Sequence, residues 1–310
     1  MLVDMTTDRP DEFFSPGWNP VLTQYLQNFP GDLGTDSSLF EPAQLRERLD
    51  ALDDLDAKFG DFQAEEFMSD GHAQIPKHAR ALKARLEAVN TVLYESIRSE
   101  IVRGAPSHTL LLWIQASAKR METAPGLGYD HRDEVVSGVL QLREPSEPRL
   151  HPVPEMVFYQ PTPVRHILHL ITAGALSKSD VFVDLGSGLG HVVLLTSILT
   201  GARSFGIEVE AAYVASAQEC AQSLRLSRVR FICEDARAAD LSTGTVFYLY
   251  SPFTGSILAD VLDRLRKEST SRPIKIRALG PCTCTLAKES WLKPIALPDP
   301  KQITVFQRRL

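Results

Sequence analysis

The sequence predicts a doubly wound α/β domain preceded by an all-helical block, and three observations predict it. Between residues 42 and about 140, apolar residues recur at the three-and-four spacing of one helical face. After a proline-rich stretch at 144–155, short β-branched runs alternate with helical ones, the pattern of a parallel sheet covered on both faces. The first of those runs ends in three closely spaced glycines, Gly186, Gly188 and Gly190.

Residues 1–41 mix Pro, Gly and Asp with scattered aromatics, including Phe13, Trp18 and Tyr25, and read as an irregular arm. From Pro42 to Phe59 the stripe Leu45, Leu49, Leu52, Leu55, Phe59 predicts a helix. A second, longer helix begins near Pro76 in its first turn, carries Leu82, Leu86, Val89, Leu93, Ile97 and Ile101, and closes at Gly104. Ser107 is the candidate cap of a third helix and Asp130 of a fourth, through Val135, Val136, Val139 and Leu140. Four prolines in the twelve residues 144–155 remove backbone donors and restrict their neighbours, marking a junction between domains at 1–150 and 151–310. Thr162 then caps a helix with Pro163 in its first position, and strands are expected at 181–184, 203–207, 229–233, 245–250, 274–279, 293–297 and 302–308. No helix separates the last two, so they should pair antiparallel. Cys282 and Cys284 are expected to alternate along a strand and share a buried face.

Composition sets outer limits. The 310 residues are 44% apolar and 23% charged, which fits a packed globular chain and excludes a disordered or collagen-like one. No apolar stretch approaches the roughly 20 residues of a membrane span, and the first ten residues lack a secretory pattern, so the expected location is cytoplasmic. Four cysteines agree with a reducing compartment. The net charge of −6 divides unevenly: residues 1–150 hold 15 Lys/Arg against 25 Asp/Glu, and residues 151–310 hold 18 against 14. Without a basic run, nucleic acid is a disfavoured partner.

The chemistry concentrates behind the first strand, in Val181-Phe-Val-Asp-Leu-Gly-Ser-Gly-Leu-Gly-His191. Glycines at such a turn open backbone angles closed to other residues and let a ligand press on bare main chain, here with Ser187 between them. Asp184 closes the first strand. Glu208, twenty-two positions after Gly186, ends the second, where a carboxylate can accept from both ribose hydroxyls. Asp235, followed by Ala236, ends the third, where an acid can accept from an exocyclic adenine amine. A dinucleotide loop would place glycine at 191, where this chain has His191, and no kinase-type phosphate loop is present. Asp184 beside the loop suits a ligand carrying an ammonium and a sulfonium. His166 and His169 stand three apart on a helix without a third ligand, so no metal is expected. His191 can serve either the ligand or its own helix start, and Arg225, Arg228, Arg230 and Arg237 can be a solvated rim.

With these residues the region from about 156 to 310 resembles the class I S-adenosylmethionine-dependent methyltransferases. The resemblance implies a seven-stranded sheet with an antiparallel last strand and S-adenosyl-L-methionine as cofactor. It implies that Asp184, Gly186, Ser187, Gly188 and Gly190 hold the methionine part, Glu208 the ribose, and Asp235 with Ala236 the adenine. Within the class, Phe182–Val193 and Tyr159-Gln-Pro-Thr162 are most similar to the non-SET histone-lysine methyltransferases, whose Tyr-Gly-Glu-Thr loop covers the cofactor; here Pro161 replaces the acid. Tyr250-Ser251-Pro252-Phe253 is similar to the Asn/Asp/Ser-Pro-Pro-aromatic motif of amino methyltransferases with one proline missing. Catalytic roles are thereby implied for Tyr159, Ser251 and Phe253, with Thr162 and Tyr250 beside the cofactor. The expected acceptor is a small molecule methylated on nitrogen under the helical block. A protein lysine and a non-catalytic cofactor-binding module are the alternatives.

Overall fold

The computed structural model describes residues 38–59, 74–104, 108–118, 128–145, 155–157, 159–173 and 175–309. The aromatic arm up to residue 37, the Ser107 cap and the junction from 146 to 154 lie outside them. The chain divides into two compact units, Met1–Tyr94 and Glu95–Leu310. Among the described residues no helix is long and apolar enough to cross a membrane.

In the first unit, 3-10 turns at Ser38–Phe40 and Pro42–Gln44 lead into α1 (Leu45–Phe59), which buries the predicted Leu45, Leu49, Leu52 and Leu55. Helix α2 (Gln74–Val102) buries Ala79, Leu82 and Leu86 on one stripe. Arg48 is fully buried in this unit and offsets the loss of water by donating to Asn90 Oδ1 at 2.6 Å and to the Leu39 and Glu41 carbonyls at 2.7 and 2.9 Å.

The second unit continues with α3 (His108–Ser117) and α4 (His131–Leu140). Asp130 caps α4 as predicted, in a reciprocal box with Asp133, whose second oxygen accepts from Val164 N–H at 2.8 Å. Helix α5 (Val164–Thr172) follows. Its cap is Pro163 and not the expected Thr162, because the Thr162 hydroxyl is taken by the buried Tyr248 phenol at 3.0 Å.

The alternating part then runs β1 (Val181–Leu185), α6 (His191–Thr200), β2 (Arg203–Glu208), α7 (Ala211–Ser223), β3 (Val229–Cys233), β4 (Val246–Tyr250), α8 (Gly255–Ser271), β5 (Lys275–Leu279), α9 (Cys282–Leu286), β6 (Leu292–Pro294) and β7 (Thr304–Arg308). All seven expected strands are present. Their order is β3-β2-β1-β4-β5-β7-β6, with β1 to β5 parallel and β7 antiparallel to both β5 and β6. The predicted antiparallel pair is thus found, with β7 placed between β5 and β6.

One expectation is corrected. Cys282 and Cys284 lie on helix α9, with Cys282 buried and Cys284 exposed. Pro281 has no amide for a sheet ladder and opens the helix in its place.

Side-chain alternation gives the sheet two different faces. Val183, Leu185, Phe247, Leu249, Ile276 and Phe306 form one core with Ile257, Leu258, Val261, Leu262 and Leu265 of α8. Phe182, Asp184 and Tyr248 point the other way, where the Phe182 and Tyr248 rings stack at 6.4 Å. Residues 95–145 are fastened to α7: Arg98 donates to the Val139 carbonyl and to Ser223 Oγ, and Ser216 Oγ donates to the Arg143 carbonyl at 2.8 Å.

Candidate active site

Strand order reverses between β1 and β4, so the crevice beyond their carboxyl ends is the natural ligand position. Two loops build it. Behind β1, the amides of Gly186 and Ser187 both donate to the Ile207 carbonyl, at 2.9 and 3.0 Å, which pins the glycine loop to β2. Behind β4, Tyr250-Ser251-Pro252-Phe253 approaches so closely that a Cβ on Gly186 (φ +84°) would stand 2.3 Å from Pro252 Cβ. Gly188 has φ +51°, and a Cβ there would stand 2.0 Å from the Tyr159 ring. Glycine is required at both points by backbone angle and by space. Gly188→Ala is therefore expected to displace Tyr159 and to lower the unfolding free energy by about 1–3 kcal/mol, read from thermal unfolding of the two proteins.

The crevice is a cavity of about 590 Å³. Asp184, Ser187, Glu208, Asp235 and Ala236 line one part of it, and Tyr159, Thr162, Tyr250, Ser251 and Phe253 line another. Gly186 also borders it, while Gly188 lies beneath Tyr159 and Gly190 (φ +85°) caps α6 against Phe231.

Asp184 is only 3% exposed and, among the described residues, its carboxyl has no hydrogen-bond partner. Burial first, and the nearby Glu208 second, hold its carboxyl well above the usual range. The Ser187 hydroxyl is likewise buried and unpartnered among the described residues. A buried acid bordering a cavity is what an ammonium-bearing ligand would satisfy. Glu208 is already organised, accepting from Gly188 N–H at 2.8 Å, Val209 N–H at 2.8 Å and Glu210 N–H at 3.0 Å. Asp235 is forked by Arg237, with Nη2 to Oδ2 at 2.7 Å and Nε to Oδ1 at 3.1 Å, and this partner holds its carboxyl below the usual range.

On the other wall, the Tyr159 hydroxyl and His191 Nδ1 share a hydrogen bond at 3.1 Å. Burial pulls the imidazole down to about 4 and pushes the phenol up, so both are neutral near pH 7. Ser251 is engaged elsewhere: its hydroxyl accepts from Cys282 N–H at 2.9 Å and donates its proton to the Leu279 carbonyl at 3.3 Å, at a left-handed φ of 43°. Phe253 is buried and bridges to Met156. His166 is buried against Arg165, and His169 is exposed.

Several residues at the site were not singled out from the sequence. Tyr213 of α7 borders the cavity with its ring 5.0 Å from that of Tyr159. Tyr129, just ahead of the α4 cap, donates to the Pro161 carbonyl at 2.7 Å and stands near Tyr159 and Tyr250. Their signal is aromatic residues at helix starts, which reads equally well as core. Arg237, whose sequence context suits a solvated rim, also borders the cavity.

Residues 156–244 match the model of the family described as "Histone methylation protein DOT1". Among solved structures, the chain is similar to an RNA methyltransferase from Salinibacter ruber in complex with S-adenosyl-L-homocysteine, at 26% identity and TM-score 0.39, covering 48% of this chain and 92% of that one. It is similar to a SAM-dependent methyltransferase from Aquifex aeolicus at 13% identity and TM-score 0.39, covering 46% and 89%. A third, a SAM-dependent methyltransferase from Geobacter sulfurreducens in complex with S-adenosyl-L-homocysteine, is 24% identical with TM-score 0.32; the match covers 37% of this chain and about half, 47%, of that one. Comparison with curated proteins returned no match.

Proposed function

We propose that residues 156–309 form a class I S-adenosylmethionine-dependent methyltransferase domain and that the chain transfers the methyl group to a nitrogen of a small-molecule acceptor. The observation that carries this reading is that one cavity of about 590 Å³ is shared by the three acids and by Tyr159, Tyr250 and Phe253. Such a volume lies within the range of roughly 300–1,000 Å³ usual for small-ligand sites. With a cofactor seated on Asp184, Glu208 and Asp235, the remainder suits a small acceptor.

In this reading Asp184 and Ser187 take the methionine ammonium, Glu208 the ribose, and Asp235 with Ala236 the adenine. The bound cofactor supplies an electrophilic methyl on sulfur. The protein aligns a neutral nucleophile with it and excludes water. Acceptor contacts fall to Tyr159, Tyr250 and Phe253, while Ser251 serves them indirectly by holding the turn against β5 and α9. Met156, Val157, Tyr159, Pro161, Tyr250 and Phe253 give the cavity an apolar and aromatic part of its lining, which supports an acceptor with apolar surface. We assign residues 128–145 the role of narrowing its mouth, through the Tyr129–Pro161 contact. The wider accessory role of residues 1–150 belongs to the same proposal.

A second reading, a protein lysine as acceptor, is favoured by the family match over 156–244. The departures at Pro161 and at Tyr250-Ser-Pro-Phe253 stand where the acceptor would be chosen. Incubating the full chain with methyl-labelled cofactor and cell lysate separates the two. Label in the small-molecule fraction is the expected result, and label confined to protein would overturn the first reading in favour of the second. Cofactor consumed with no labelled product in either fraction would overturn both.

A further inference from the structure

We propose that Arg237 is a positioning residue that makes this site selective for a 6-amino purine over a 6-oxo purine, an inference that rests on the cofactor reading above. An adenine amine needs an acceptor, and a 6-oxo group needs a donor, so selectivity depends on Asp235 presenting carboxylate oxygen in a fixed direction. Arg237 supplies that direction. Its Nε and Nη2 fork both oxygens of Asp235 at 2.7–3.2 Å, and its own N–H donates to Oδ1 at 2.8 Å. Planar two-point pairing of this kind sets the plane of the carboxylate, which a lysine cannot do.

The turn beneath is equally constrained. Ala238 and Ala239 N–H both donate to the Asp235 carbonyl, and Arg264 of α8 reaches up to the Ala236 and Ala239 carbonyls at 3.0 and 2.5 Å. The backbone is therefore held from below, and what remains adjustable is the Asp235 side chain. Both Asp235 and Arg237 border the cavity. Their side chains are 40% and 43% exposed, so the pair contributes little to stability. Its consequence belongs in ligand choice.

The experiment is calorimetric titration of the full chain with S-adenosyl-L-homocysteine and with S-inosyl-L-homocysteine, its 6-oxo counterpart. The wild type is expected to prefer the adenosyl compound by about tenfold or more, as for a hydrogen bond to a charged acceptor. Arg237→Ala should narrow that preference to about threefold or less, and Arg237→Lys should fall between. Asp235→Asn, whose amide can donate to the 6-oxo group, should remove the preference altogether. Circular dichroism and unfolding temperature should be unchanged in Arg237→Ala, since a folding defect would weaken both compounds alike and leave their ratio intact. An unaltered ratio in Arg237→Ala would overturn the inference. Failure of the wild type to bind either compound would instead overturn the cofactor reading beneath it.

Discussion

Glu208→Ala is expected to weaken S-adenosyl-L-homocysteine binding by about 1–3 kcal/mol, roughly fivefold to over a hundredfold, when measured by calorimetry. The expectation rests on two roles that the structure gives one carboxylate. Glu208 ends β2 at the cavity, where the ribose hydroxyls would lie, and it accepts three main-chain N–H groups, one of them from Gly188 in the glycine loop. Alanine removes the ribose acceptor and also releases one of the ties between the glycine loop and β2, leaving those to the Ile207 carbonyl. Glu208→Gln separates the roles, because its amide oxygen can still accept from Gly188 while the charge is lost. Its effect should be the smaller. Unchanged affinity in the alanine variant would place the ribose elsewhere.

The second large effect is a pH dependence centred on Asp184. This carboxyl is buried, lacks a hydrogen-bond partner among the described residues, faces Glu208 and lies near the Tyr248 phenol, so without a ligand it holds its proton to a pH well above the ordinary carboxylate range. A cationic ligand favours the ionised form. Affinity for the methyl donor should therefore rise with pH through the raised titration of Asp184 and then level off, with a proton released on binding below the plateau. His191 changes charge near pH 4 and stays neutral above it, and the Tyr159 phenol is pushed upward, out of the neutral range. In Asp184→Asn the rise should vanish and affinity should drop by about tenfold or more. The stability of the free protein carries the opposite slope. The folded chain binds the Asp184 proton more tightly than the unfolded chain, so this group's contribution falls as pH rises from the unfolded value through the folded one. A pH-independent affinity in the wild type would show that Asp184 does not meet the ligand's charge.

Much of this arrangement was legible in local sequence. Period-two and period-three-and-four patterns are imposed by one residue's neighbours, so the strands and the stripe Leu45, Leu49, Leu52, Leu55 could be read directly. The three acids could be placed on one sheet edge because parallel strands bring their carboxyl ends together. What could not be read depends on partners distant in the chain. The Ser251 hydroxyl is committed to Leu279 and Cys282, about thirty residues on, and the Thr162 hydroxyl to Tyr248, 86 residues away. Gly188 serves as a seat for the Tyr159 ring, which no glycine spacing reveals. The helix at Cys282 escaped because alternating small residues resemble a strand until Pro281 is seen to end the ladder. Periodicity likewise identified helices without showing that residues 95–145 are fastened to α7.

The central claim is that one crevice behind β1 and β4 grips a sulfonium nucleoside. Titrating the purified full chain with S-adenosyl-L-homocysteine, following heat and unfolding temperature together, tests it most directly. A saturable heat signal with one ligand per chain and a raised unfolding temperature is the predicted result. No heat and no change in unfolding temperature at millimolar ligand would contradict the account.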